Sequence, residues 1–461
     1  MNALVLVASV AMLAHAPRAL AAACTSAATG PWATAGSWAA PCNVAGGPVA
    51  GDTVTILNTH IITVGAAAAA ATLTVNAGGS LVNNSTLTLT GALGGTGALT
   101  NSATGVLNLG GTATITTLTA TAVSNTVNYT GVAQTLKATA YYHLGLGGSG
   151  AKTMTGISTV SGNLTTSGTA TATTAANFSI GGNLAVGAGT TFTSANFTNS
   201  VTGTTSVSGT LAHSGVAAKT YIGAVTINGG GSWTNAGNAP VTFRNGLTHN
   251  GATFTSGTGI QTFNTFAQAI GGTTAIAIAN LTVTGVTLTN NGTLTVSTAL
   301  AGTGTLTNAA ALSIGGSSAI TGLTATAVGN VVNYTGAAAQ TIKATTYATL
   351  NTSGAGAKSV AGVTVVNNTL SVTGGTVTNN STLTVTTALS GTGTLVNAGT
   401  RTLNIAGTST ITTLTATAVG NIVNYTGAVA QTVKATTYAT LNFSGAGVKT
   451  VAAATTVTVN T

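Results

Sequence analysis

The sequence predicts an all-β fold, a right-handed parallel β-helix (β-solenoid) with about twenty residues per coil. Three observations carry that expectation. The chain repeats itself: 125–156, 330–362 and 421–453 share a Val-Asn-Tyr-Thr-Gly … Gln-Thr-x-Lys-Ala-Thr … Gly-x-Lys pattern, and such self-similarity marks stacked repeats rather than a globular enzyme domain. Its segments alternate, as in NNSTLTVTT (379–387), where Leu383 and Val385 share one face and Thr382, Thr384 and Thr386 the other, the period of a strand with one buried face. Gly162-Asn163-Leu164 recurs as Gly182-Asn183-Leu184, which sets the coil length at twenty.

Composition agrees. Of the 461 residues, 2 % are charged and 44 % hydrophobic, the reverse of a disordered chain. Thr and Val are stiff at χ1 and favour strands. Gly, 63 in all, interrupts every stretch and supplies the turns. It recurs as Gly95-Thr96-Gly97, Gly302-Thr303-Gly304 and Gly391-Thr392-Gly393.

Taken in order, residues 1–23 read as a secretory signal, with an apolar core from Leu4 to Leu13 and small-x-small cleavage motifs at Ala19-Leu20-Ala21 and Ala21-Ala22-Ala23. Residues 24–75 read as an N-terminal cap, which a solenoid needs to cover its first coil. The segment holds both cysteines, Cys24 and Cys42, expected to form a disulfide in an exported protein; lipidation of Cys24 is the weaker alternative. Residues 76–461 read as solenoid. Close copies lie near 83–162, 290–370 and 379–461, around a divergent, aromatic-rich section at 157–289 that holds seven of the eight Phe. The third copy stops within a strand, and the expectation is that the chain belongs to a longer protein.

Chemistry is constrained most by what is scarce. Asp52 is the only acidic residue. Glycoside hydrolysis generally needs two carboxyl groups and calcium sites need several carboxylate oxygens, so a polysaccharide-active enzyme is nearly excluded. No catalytic residue, cofactor site or metal site is expected, since the histidines have no ligand-like spacing. The formal charge of +9 is spread thinly and forms no patch for specific nucleic-acid binding. No run after the signal suits a membrane-spanning helix.

Two candidate surfaces remain. One is a binding patch at Trp233, Arg244 and His249 in the divergent section, weighed against the plainer expectation that the aromatics there fill a wider core. The other is a set of repeated lysines, Lys137, Lys152, Lys343, Lys358, Lys434 and Lys449, expected to point outward as solubilising charges and as the stock of any array for anionic glycans. Thr-rich strands at 112–123 and 408–419 also admit an ice-binding surface built from outward Thr rows.

The opening Cys24, Trp32, Gly36-Ser37-Trp38 and Gly51-Asp52-Thr53-Val54-Thr55-Ile56, with the Asn-Tyr-Thr-Gly … Gln-Thr … Lys-Ala-Thr blocks, resembles exported bacterial β-strand-repeat surface proteins. Those are similar in kind to autotransporter passengers and filamentous-haemagglutinin-type adhesins. The resemblance implies a non-catalytic secreted or cell-surface protein, an adhesin or biofilm-matrix rod. Its expected partners are surface glycans, other cells, or further copies of itself.

Overall fold

The structure is a computed structural model that describes residues 21–452 and 456–459. The expected signal at 1–23 therefore lies outside the described residues except for Ala21, Ala22 and Ala23. The chain divides into two compact units, to Asn125 and from Thr126 onward. Each is a β-solenoid of parallel strands, and among the described residues the one short helix is a 3₁₀ turn at Ala35–Ser37.

In the first unit the coils build three parallel sheets. One contains Ala23–Thr25, Thr53–Ile56, Thr72–Val75 and Leu93–Gly94. A second contains Gly30–Pro31, Ile61–Val64, Ser80–Asn83, Ala98–Asn101 and Thr117–Thr119. The third includes Ala68–Ala70, Thr86–Leu89 and Val106–Leu109. Ile62, Leu81, Leu99 and Leu118 lie in one register column and are 0–5 % exposed. Burying such a side chain is worth roughly 1.5–3 kcal/mol, so the stacked column is what holds successive coils together. Stacking thus begins within the segment expected to be only a cap: Thr53–Ile56 already pairs with Thr72–Val75.

The cap's own contribution is a corner. Cys24 and Cys42 form the expected disulfide, Cα atoms 5.4 Å apart, which leaves Cys24 no thiol for lipidation. Trp32 and Trp38 meet edge to face at 5.2 Å. Trp38 Nε1 donates to the Trp32 carbonyl and Trp32 Nε1 to that of Pro48. Gly47 closes this corner at φ +65°, where a Cβ would sit 2.1 Å from the Trp32 oxygen.

In the second unit the register advances by close to twenty residues per coil, through Leu144, Leu164, Leu184, Thr205, Val225 and Leu247. Around it run two further parallel sheets, one through Ser149–Thr153, Thr169–Thr173, Thr191–Ser194, Thr210–His213, Ser232–Thr234 and Thr253–Thr255. The other runs through Thr159–Val160, Phe178–Ile180, Asn199–Val201, Lys219–Tyr221, Val241–Phe243 and Ile260–Asn264, and continues to Thr408–Ser409. Strands such as Thr382–Val385 show the alternation read from sequence, with Leu383 and Val385 fully buried. Gly302 and Gly391 make turns at φ +115° and +119°; a Cβ there would lie 2.0 Å from the Val283 and Val372 carbonyl oxygens of the preceding coil.

Candidate binding surface

The sites expected from sequence go mostly to the interior. Trp233 is fully buried and His249 is 1 % exposed. Trp233 packs against His213, Tyr221, Phe243 and Phe254, with ring centroids 4.8–6.0 Å apart, while His249 lies on Phe254 at 5.8 Å. Arg244 is half-buried, and its Nε is enclosed without a hydrogen-bond partner. The patch of Trp233, Arg244 and His249 is therefore corrected: the strands at Ser232–Thr234 and Leu247–His249 point Trp233 and His249 inward, and aromatic filling of the core is what their positions serve.

The lysine array is corrected in part. Lys152 and Lys358 are 1 % exposed. Lys152 Nζ donates to the carbonyls of Gly131 and Val132 and to Gln134 Oε1, at 2.6–2.8 Å. Lys358 Nζ donates to the carbonyls of Gly336 and Gly356, and half-buried Lys449 does the same to Gly427 and Gly447. Burial lowers the pKa of Lys152 and Lys358 from the ordinary lysine value. These ammonium groups are held by carbonyls of the neighbouring turns, which fits the rule that buried polar groups are paired. Lys137, Lys343 and Lys434 have half-buried side chains.

The recurring Tyr and Gln belong to the same interior clasp. Tyr334 Oη accepts the Lys343 backbone N–H at 2.9 Å, Tyr347 Oη donates to the Lys343 carbonyl at 2.6 Å, and the two hydroxyls meet at 3.3 Å. Tyr129 and Tyr141 bracket Lys137 in the same way, and Tyr425 and Tyr438 bracket Lys434. Desolvation raises the pKa of Tyr129, Tyr141, Tyr334, Tyr347 and Tyr438. Gln340 Oε1 accepts from Gly336 N–H while its Nε2 donates to the Ile314 and Gly316 carbonyls. Buried asparagines form a further ladder: the Nδ2 of Asn83, Asn290 and Asn379 donates to the Oδ1 of Asn101, Asn308 and Asn397 at 2.7–2.8 Å.

With Lys152, Lys219, Lys358 and Asp52 buried, some outward columns carry only neutral side chains. In the second unit Thr159, Ser179, Ser200, Thr220, Thr242, Thr262 and Thr282 occupy one outward register column. Ser179 Oγ donates to Thr159 Oγ1 at 3.3 Å. A shallow groove of about 430 Å³ runs beside the column, lined by Thr159, Asn177, Ser179, Thr198, Ser200 and Thr220. The adjacent sheet carries two such columns. One is Thr171, Thr191, Thr210, Ser232 and Thr253; the other is Thr173, Thr193, Ala212, Thr234 and Thr255. Successive positions in a column lie about 4.8 Å apart and the columns roughly 6.6 Å apart, from strand spacing and rise. Ala172, Phe192, Leu211 and Trp233 lie between the columns with side chains in the core, so a rigid floor backs the hydroxyls.

Sequence reading missed these columns because it aligned the long copies, whereas the columns repeat coil by coil at about twenty residues. The Thr-rich strand at 112–123 is less regular: Thr119 and Thr100 are followed in their column by Val82. Asp52 offers no catalytic carboxylate to the surface. It is fully buried, accepting the backbone N–H of Ala22 at Oδ1 and of Val49 at Oδ2. Cys24, Cys42 and Asp52 bring potential metal-ligating atoms within 4.8 Å, but with the sulfurs joined neither is a thiolate, the form that binds metal.

Among known proteins, no family model, curated protein or solved structure gives a significant match to the chain.

Proposed function

We propose that the chain is a secreted or cell-surface structural repeat protein, an adhesin or biofilm-matrix component, that acts by binding and not by catalysis. The supporting observation is the register of its outward hydroxyls: columns of Thr and Ser on a rigid parallel sheet, with the sole carboxylate and three of the lysines withdrawn into the core. Such a surface offers many equivalent, weak, neutral hydrogen-bonding positions, and multivalency turns weak contacts into useful avidity. Neutral glycans on a cell surface or in a matrix suit it better than anionic ones, since Lys152, Lys219 and Lys358 are not available outside. Self-association through the same faces is a further outcome of this chemistry. The reading keeps the resemblance to exported bacterial β-strand-repeat surface proteins, which are similar in kind to autotransporter passengers and filamentous-haemagglutinin-type adhesins.

The test is adhesion of beads coated with the purified protein to glycan arrays and to bacterial cells. The T171R/T193R double variant should lose at least tenfold in retention while its circular dichroism is unchanged. Equal retention by the variant would count against the reading.

One observation favours a second reading. The paired columns at 171–255, Thr at every position but Ser232 and Ala212, are a regular outward array of the kind an ice-binding surface would use. Thermal hysteresis or recrystallisation inhibition by the purified chain, abolished by the same double variant, would place ice binding first.

A further inference from the structure

The sequence offers two small-x-small junctions for leader removal, after Ala21 and after Ala23, and the fold treats them differently. Ala22 and Ala23 are already part of the first coil. Ala23 opens the strand Ala23–Thr25 and sits in register with Thr53. The Thr53 N–H donates to the Ala22 carbonyl at 2.9 Å. The Ala22 nitrogen lies 2.8 Å from Asp52 Oδ1. Ala21, one residue earlier, is exposed.

We propose that the mature chain begins at Ala22, and that its α-ammonium forms an ion pair with the buried carboxylate of Asp52, the only acidic side chain of the protein. The proposal rests on reading the N-terminal segment as a leader removed by a signal peptidase. Water is the co-reactant. Its oxygen adds to the Ala21 carbonyl, the Ala21–Ala22 C–N bond breaks, and the leader leaves as a carboxylate. The Ala22 nitrogen gains the two protons of that water, so the products are a carboxylate and an ammonium.

Cleavage here keeps every bond just described and converts one of them. A neutral amide N–H facing Asp52 Oδ1 becomes a charged donor, and charge-assisted hydrogen bonds are about twice as strong as neutral ones. Cleavage after Ala23 would instead remove the donor to Asp52 and the acceptor of Thr53. It would also leave Cys24, whose sulfur is 3.4 Å from Asp52 Oδ2 and is held in the disulfide, as the terminal residue. Processing after Ala21 would thus add the counter-ion as the coil closes, beside the disulfide that ties Cys24 to Cys42.

The test is to export the full chain, leader included, from a secretion-competent bacterium, then to sequence its N-terminus and weigh it intact. A chain beginning at Ala22 is the expected result. One beginning at Cys24, or upstream of Ala22 but after Met1, overturns the proposal and leaves the leader reading standing. An exported chain still beginning at Met1 overturns both. The pairing has its own readout: with a limiting amine-acetylating reagent, the α-amine should react at least tenfold more slowly in the parent than in D52N, and equal rates would overturn the ion pair. The N-terminal mapping needs no variant, so it decides the junction even if D52N fails to fold.

Discussion

The His213 imidazole stands edge-on to the Trp233 indole, ring centroids 4.8 Å apart and planes at 80°. Both are fully buried. His213 Nε2 lies 3.2 Å from the Tyr221 hydroxyl, while its Nδ1 has no partner among the described residues. Desolvation first, and the nearby Lys219 charge second, push the His213 pKa down to about 3.

The sign of the resulting pH dependence follows. Between the unfolded value near 6.5 and about 3 the unfolded chain binds a proton that the native one does not. Stability is therefore lost as pH falls through that window, by at most about 1.4 kcal/mol per pH unit from this group. Thermal melts followed by Trp fluorescence from pH 7 to 3 should show the loss, and H213F should flatten it. An unchanged slope in H213F would count against the assignment.

Lys219 gives a second window. Burial lowers it to about 8 from 10.5, and its Nζ donates to the carbonyls of Ala195 and Phe197. Native stability should rise from pH 8 to 10.5, where only the unfolded chain keeps the proton. K219M, which has no proton to lose, should remove that rise in denaturant titrations.

The buried and half-buried lysines should separate cleanly. K358A strands the carbonyls of Gly336 and Gly356 and leaves a cavity, for a loss of about 2–4 kcal/mol. K343A keeps the backbone groups that Tyr334 and Tyr347 hold, and should cost about 0.5 kcal/mol or less. Chemical denaturation of the two variants checks the difference.

Tyr334→Phe removes the acceptor of the Lys343 N–H and should cost roughly 1–3 kcal/mol. Hydrogen exchange should localise the change, with the Lys343 amide losing protection while amides of the first unit keep theirs.

Reducing the Cys24–Cys42 bridge, or replacing both residues by Ser, should lower the stability of the first unit by about 2–4 kcal/mol. Near-ultraviolet circular dichroism of Trp32 and Trp38 should register it. The Trp233 signal, from the second unit, should move little.

The fold was legible because strand period, coil period and glycine turns pointed the same way: Leu383 and Val385 face the core as their alternation required. The lysines were misplaced for a definite reason. Alternation puts Lys152 and Lys358 on inward positions, where sequence reasoning assumes that a charge cannot sit; carbonyls of the neighbouring turns make it tolerable. Trp233 and His249 were offered as a surface because scarcity drew attention to them, yet their strands turn them inward. The Val-Asn-Tyr-Thr-Gly repeat marks Tyr129, Tyr334 and Tyr425, but not their partners Tyr141, Tyr347 and Tyr438, since the bond that joins each pair crosses a turn.

The asparagine ladder has a genetic corollary. Asn83 with Asn101, Asn290 with Asn308, and Asn379 with Asn397 are each 18 residues apart and make the same bond. Asn330 and Asn421 close the ladder from the following coil, each Nδ2 donating to the backbone carbonyl of Asn308 or Asn397. Each block thus carries its asparagine ladder complete within itself. Unequal crossing-over between such blocks would insert or delete whole ladders and leave the remaining ones intact. Lineages carrying this gene should differ in block number far more readily than in the residues of the ladder.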